Sequence, residues 1–332
     1  MQPDLSVIAA AFPIGTIRSI EPLGNGRIHA TYLVRSDMGE YVLQKIGVLF
    51  VPALPDIEAV TAHIAAKGLL TSRVVRTEDG ALSRQDGDSA WRLMTFIPGM
   101  TIETEPTPAQ AANGAAFIAQ FHTALADYTQ PFAYRIPHYR DTGYALGHLH
   151  ELDRRNTGSS KYEKCHPLAE EIEHRRTLLS PAMSALPLHT LHGDLKLNNL
   201  RFDTEGVEAI ALLDLDTLGS YPLPLELGDM LRSWCKRGTG IDTETWKTLM
   251  KTYREHAAFM HDDEWRLIPD GFFEITLSLA ARYCADAYEE TWFKHNPEYP
   301  SLFEQNVAST ERCLALLDDF TTKLPELRQL HD

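Results

Sequence analysis

Two hydrophobic periodicities divide the chain. Over roughly the first hundred residues, short apolar segments alternate with glycine-containing and charged turns, the pattern of half-buried strands. Segments 31–36 (TYLVRS) and 41–46 (YVLQKI) flank Asp37-Met38-Gly39-Glu40 and read as a hairpin. A helical stretch is predicted over 56–66, then strands at 72–77 and 90–97, and Pro98-Gly99 closes the region. Beyond Gly99 the spacing turns helical. Segment 108–128 is Ala-rich and amphipathic, with Phe117, Phe121 and Leu125 four residues apart on one face. Further helices are predicted near 166–180, 225–236, 243–260, 271–290 and 303–323, interrupted by strands only in 188–214, and 158–165 reads as a loop joining two helices. No internal repeat or low-complexity tract is present. A sheet-rich lobe over 1–98 followed by a mainly helical lobe over 99–332 makes a two-lobed α+β arrangement, with a ligand cleft expected at the junction.

Composition narrows the class. A hydrophobic share of 44% in 332 residues supplies a sizeable core. Lys and Arg number 31 against 46 Asp and Glu, and the net charge of −15 argues against a nucleic-acid partner. Cys165, Cys235, Cys284 and Cys313 are scattered, with no CxxC pair and no zinc-ligand spacing. The N-terminal apolar run lacks a basic leader and is broken by Pro13, and no stretch approaches about 18 uninterrupted apolar residues. The reading is a cytoplasmic protein with no membrane partner, a monomer or homodimer.

The chemistry is concentrated in LHGDLKLNNL at 191–200 and LLDLD at 212–216. Moving a terminal phosphoryl group to a hydroxyl needs a carboxylate near the hydroxyl proton, metal ions on the phosphate oxygens and positive charge where negative charge accumulates. Asp194 supplies the first. Asn199, five residues on, offers an amide oxygen to magnesium, and Asp214 is a hard oxygen ligand for the same ion. Segments 200–202 and 210–213 read as strands joined by Asp203-Thr204-Glu205-Gly206, so closing that hairpin brings Asn199 and Asp214 to one end. Lys196 adds a cation beside the transferring group.

His192-Gly193-Asp194 with Asn199 matches the H-[RG]-D-x-x-x-x-N loop of the protein-kinase-like superfamily, and the Gly after the His resembles its aminoglycoside phosphotransferase and choline kinase branch. Leu213-Asp214-Leu215-Asp216 is similar to that branch's metal-binding string, and Gly228-Asp229-Met230-Leu231-Arg232 to its downstream G-D-x-x-R element, whose Asp braces the catalytic loop. The strings 31–34 (TYLV), 42–46 (VLQKI), 194–199 (DLKLNN) and 282–288 (RYCADAY), with Trp292-Phe293-Lys294, resemble the N-acetylhexosamine 1-kinase group. His29, Gly47 and Gly193 depart from that group's pattern. The resemblance implies a two-lobed protein-kinase-like fold, ATP and Mg2+ as cofactors, and a small hydroxylated acceptor, a sugar first.

It also implies a nucleotide side. Gly24, Asn25 and Gly26 stand where the superfamily covers the phosphates, Met94, Thr95 and Ile97 where its hinge holds the adenine edge through backbone groups. Either Gln44 or Lys45 is the strand residue at the phosphates, since neighbours on a strand point to opposite faces; Lys45 is the better cation, with Glu58 as its partner and Asp56 as the alternative. His192 packs the loop rather than acting as a base. Arg282 and Asp286, at i and i+4, form an internal ion pair or edge the acceptor pocket together with Arg232. His122 and His189 are core or boundary residues. Homoserine, choline-like alcohols and aminoglycosides are the rival acceptors, and a nucleotide-binding pseudokinase is the alternative of another class.

Overall fold

The computed structural model describes residues 4–23, 30–87 and 89–331; Gly24, Asn25, Gly26 and His29 lie outside them. After a short helix α1 (Leu5–Ala9), β1 (Ile17–Pro22), β2 (Ala30–Ser36) and β3 (Glu40–Ile46) form an antiparallel meander. A 3-10 turn leads into α2 (Leu54–Ala66), which opens two residues before the predicted start. Then follow β4 (Val74–Val75), β5 (Arg84–Asp86) and β6 (Ser89–Thr95). The sheet order is β1-β2-β3-β6-β4, with β5 also on β6. The strand predicted over 72–77 survives only as the two residues of β4.

Alternation assigns the faces of this sheet. Val34, Leu43, Trp91 and Leu93 pack with Ile8, Phe12 and Ile14 beneath α1. Ile46, Ala90 and Met94 point the other way and join Ile57, Val60 and Ile64 of α2 in the main core, which continues into the helical lobe. Full burial of each such aliphatic side chain contributes roughly 1.5–3 kcal/mol. Val48–Ala66 is long and apolar enough for a membrane span by length and composition, but those same α2 residues are buried in this core.

The second lobe begins at β7 (Met100–Thr101), which pairs with a later strand instead of with the first sheet. The helices α3 (Pro108–Leu125), α4 (Thr142–Arg155) and α5 (Tyr162–Arg176) follow. Thr107 and Gln110 form a capping box at the start of α3, and Phe117, Phe121 and Leu125 are buried on its inner face. The sequence reading overlooked α4, although Asp141 caps it and Leu146, Leu149 and Leu152 recur every third residue.

Next come β8 (Leu188–Leu191), β9 (Leu200–Phe202), β10 (Ala209–Leu212) and β11 (Gly219–Pro222), then α6 (Leu223–Trp234), the small hairpin β12 (Lys236–Arg237) and β13 (Gly240–Ile241), α7 (Thr243–His256), α8 (Asp262–Arg266), α9 (Ile268–Glu289) and α10 (Leu302–Gln329). Helices α6 and α9 cross at two glycines: a methyl on Gly228 would stand 2.4 Å from the Gly271 backbone. Only glycine permits that approach, and it sets Arg232 of α6 and Arg282 of α9 on one cleft. The four cysteines are free and buried.

Candidate active site

Two loops meet because their strands do. The chain leaves β8, runs through 192–199 into the β9–β10 hairpin, and returns through 213–218 to β11, which pairs back on β8 with Gly219 opposite Leu191. The Leu213 amide donates to the Asn199 carbonyl at 2.8 Å, so the turn carrying Asp214 abuts the end of the catalytic loop. Gly193 sits at φ +86°, and a Cβ there would lie 2.0 Å from the Thr217 carbonyl oxygen. This contact is the reason the chain reads HGD and not HRD.

Helix α6 brackets the loop with side chains two helical turns apart, Glu226 on one side and Ser233 and Trp234 on the other. Glu226, fully buried, accepts the His192 amide at 2.9 Å and the Gly193 amide at 3.1 Å. Ser233 accepts the Leu197 amide at 3.2 Å and the Trp234 indole donates to the Leu195 carbonyl at 3.0 Å. Burial works to raise the Glu226 pKa, but His122 and Arg140 outweigh it and hold the carboxyl below its ordinary value. His192 is itself buried: its Nδ1 accepts the Asp194 amide and its Nε2 meets the Leu213 carbonyl at 2.8 Å, a packing role. His122 and His189 are engaged by Tyr253 and Glu264.

At the loop's tip the Lys196 ammonium lies 2.5 Å from Asp194 Oδ2. Asn199 donates through Nδ2 to the Asp194 carbonyl and carboxylate, at 2.9 and 3.3 Å, which leaves its Oδ1 available to a cation. Asp214, at φ +60°, faces the same cleft. Burial at the cleft floor and the neighbouring Asp216 and Asp194 carboxylates raise its pKa. Asp214, whose carboxylate has no hydrogen-bond donor among the described residues, and the Asn199 Oδ1 are the oxygens that could hold a divalent cation.

The strand cation is corrected by the sheet faces. Gln44 stands opposite Arg92 of β6, and Arg92 Nε donates to Gln44 Oε1 at 2.9 Å. The Arg92 guanidinium, 3% exposed, forks onto both oxygens of Asp216, with 2.8 Å for its Nη2 arm. Lys45 is exposed on the opposite face, in register with Trp91. The expected Lys45–Glu58 couple therefore does not form: Glu58 pairs with Arg76, and Asp56 accepts the amides of Ala133 and Tyr134. Nor is the expected hinge open at Thr95, whose amide and carbonyl are taken by Arg73 and Ser72. Met94 spends its backbone in the sheet, and the Ile97 carbonyl accepts Arg201.

Beside these loops the two lobes line a cleft of about 1160 Å3 that α9 borders. Asp229 accepts Arg140 at 2.8 Å and Arg232 at 2.6 Å. Arg140 also donates to the Gly193 carbonyl at 2.7 Å, so Asp229 reaches the catalytic loop through it. Asp286 neither pairs with Arg282 nor lines the cleft. It accepts the amides of Thr291, Trp292 and Phe293 and the Asn306 amide group, which folds the loop after α9. Its buried position at the end of α9 turns the carboxylate toward that loop, one turn beyond Arg282.

Residues 19–259 match the model of the APH phosphotransferase enzyme family. The chain belongs to that family. It is an ATP-dependent kinase of small molecules that phosphorylates a hydroxyl group. Homoserine kinase from Azorhizobium caulinodans is 24% identical over 246 residues, 73% of this chain and 72% of that one. Homoserine kinase from Pseudomonas aeruginosa is 25% identical over 276 residues, 77% of each. Among solved structures, an aminoglycoside phosphotransferase from Alicyclobacillus acidocaldarius superposes with a TM-score of 0.68 at 15% identity, covering 100% of this chain and 98% of its own. A microcompartment-associated aminopropanol kinase gives 0.63 at 16%, covering 98% of both chains, and an amicoumacin kinase solved with AMP-PNP and Ca2+ gives 0.63 at 14%, covering 98% and 91%. These likenesses carry the family's two-lobed kinase fold. They lend no support to the sugar acceptor inferred from the N-acetylhexosamine kinase resemblance.

Around these loops, sequence reading missed Arg92, Tyr139, Arg140 and Glu226. Arg92 and Glu226 were legible as charged residues inside apolar runs, AWRLMTFI and LPLELGDML, a pattern that implies a buried partner. Arg140 carried no such signal.

Proposed function

We propose that this kinase phosphorylates a small hydroxy amino acid or hydroxy acid of the homoserine type, with ATP and Mg2+. The convergence of Asp194, Asn199 and Asp214 at one end of the β9–β10 hairpin carries the catalytic part of this reading. Asp194 orients the acceptor hydroxyl and takes its proton. The acceptor oxygen forms a bond to the γ-phosphorus while the bond to the β-phosphate oxygen breaks, and ADP leaves with the electron pair. Asn199 and Asp214 would hold the metal, which supplies charge neutralisation on the phosphates. Lys196, 2.5 Å from Asp194, stands beside the developing charge.

The homoserine kinases, similar over about three quarters of their length, support the acceptor class. ATP consumption across L-homoserine, amino alcohols, N-acetylhexosamines and aminoglycosides tests it: turnover confined to sugars or aminoglycosides would sink the acceptor. Asp194→Asn should lower kcat about 10³-fold with the fold intact, the scale for losing a general base. A fully active variant would remove Asp194 from its role.

A further inference from the structure

The net charge is −15, yet the cleft is lined by two cations that have no carboxylate partner among the described residues. Among the described residues, Arg282 has no ion pair and no hydrogen bond, although it lines the cleft midway along α9. Its guanidinium is framed by aromatic rings instead, 5.4 Å from the Trp292 centroid, 5.8 Å from Phe293 and 6.0 Å from Tyr139. The Asp286 hub fixes the first two rings by holding the amides of Trp292 and Phe293. A guanidinium braced in this way keeps its N–H edge for a planar anion.

Lys236 lines the same cleft, half-buried and with no carboxylate partner among the described residues. Burial lowers its pKa, and the nearby Arg312 and Arg232 guanidiniums add to this. Arg312 is bonded to Tyr299 and Ser309, both neutral. Of the other acids lining the cleft, Asp229 is committed to Arg140 and Arg232 and Glu105 to Arg237, while Glu103 is exposed. Retaining uncompensated positive charge in a partly desolvated cleft is costly, and an incoming anion recovers that cost.

The distance to the chemistry is short. Tyr139, one of the rings beside Arg282, donates its hydroxyl to the Gly193 carbonyl at 2.8 Å, next to Asp194. We propose that the cleft holds an anion subsite: Arg282 binds the carboxylate of the acceptor, Lys236 adds a second positive charge, and the acceptor's hydroxyl is thereby presented to Asp194. The assignment rests on the kinase reading above and gives the acceptor's carboxylate its partners in the cleft, with polycationic and neutral alcohols disfavoured.

The test is a panel in matched sets: L-homoserine and 4-hydroxybutanoate against 2-amino-1,4-butanediol, galacturonate against galactose, and kanamycin and glycerol 3-phosphate as further arms. ATP binding is followed separately by thermal shift. The carboxylates should be the better acceptors. Arg282→Gln should raise their KM about 30-fold with kcat changed less than about threefold, Arg282→Lys should recover part of the loss, and Lys236→Gln should raise KM about fivefold. Turnover confined to neutral, cationic or phosphorylated acceptors overturns the subsite and leaves the kinase intact. So does a KM for carboxylates indifferent to Arg282→Gln, or ATP binding without turnover of any carboxylate. Loss of both ATP binding and all turnover would overturn the kinase reading itself.

Discussion

Arg92 of β6 and Asp216, 124 residues apart, form a buried two-armed ion pair that ties the first sheet to the loop carrying Asp214. With Gln44 on the guanidinium Nε, this pair fills the cleft face of the sheet where a strand lysine was expected. Burial works to lower the Arg92 pKa, and Asp216 more than restores it, so the arginine stays charged.

Removing one partner of such a pair strands the other. Arg92→Met should cost about 3–5 kcal/mol in urea unfolding, while Arg92→Met with Asp216→Leu should recover most of that stability without recovering activity. Equal losses in the single and double variants would show that the ion pair is not what couples the lobes.

Lys45 serves as the control on the same strand. Being exposed on the far face, it should tolerate Lys45→Gln with less than about a threefold change in the KM for ATP, the range of a surface substitution. A tenfold rise would return the phosphate contact to Lys45.

Gly193→Ala places a methyl 2.0 Å from the Thr217 carbonyl at φ +86°. Strain and overpacking together should cost roughly 3 kcal/mol, read as a lower melting temperature, with kcat falling further because Asp194 is the next residue.

His331 sets an acid limit far from the site. It is 1% exposed, accepts the Trp246 indole N–H at 3.2 Å, and burial depresses its pKa to about 4. The folded state thus prefers neutral imidazole, so this contribution is complete above the ordinary pKa of about 6.5 and is lost as pH falls from there toward 4. His331→Gln should flatten that part of the stability profile by about 3 kcal/mol in urea titrations at stepped pH. An unchanged slope would place the acid sensitivity elsewhere.

The parts of the site that were legible in the sequence are those whose geometry is local. Asp194, Lys196 and Asn199 occupy one loop, and a hairpin of fewer than twenty residues returns Asp214 to it, so spacing alone brought Asn199 and Asp214 together. The amphipathic helices were likewise readable, because a 3.6-residue period records which face is buried. Tertiary structure decided the rest. Alternation in YVLQKI separates Gln44 from Lys45 but is symmetric between faces until α1 covers one and α2 the other. Arg92 could not be matched to Asp216, or Arg140 to Asp229 and Gly193, because ion pairs across 124 and 89 residues leave no periodic trace. Asp286 shared a helical face with Arg282 in sequence, yet the loop beyond α9 captured its carboxylate and left the arginine to the cleft. A chain specifies local order through backbone geometry, whereas the partner of a buried charge is selected by whichever distant element packs against it.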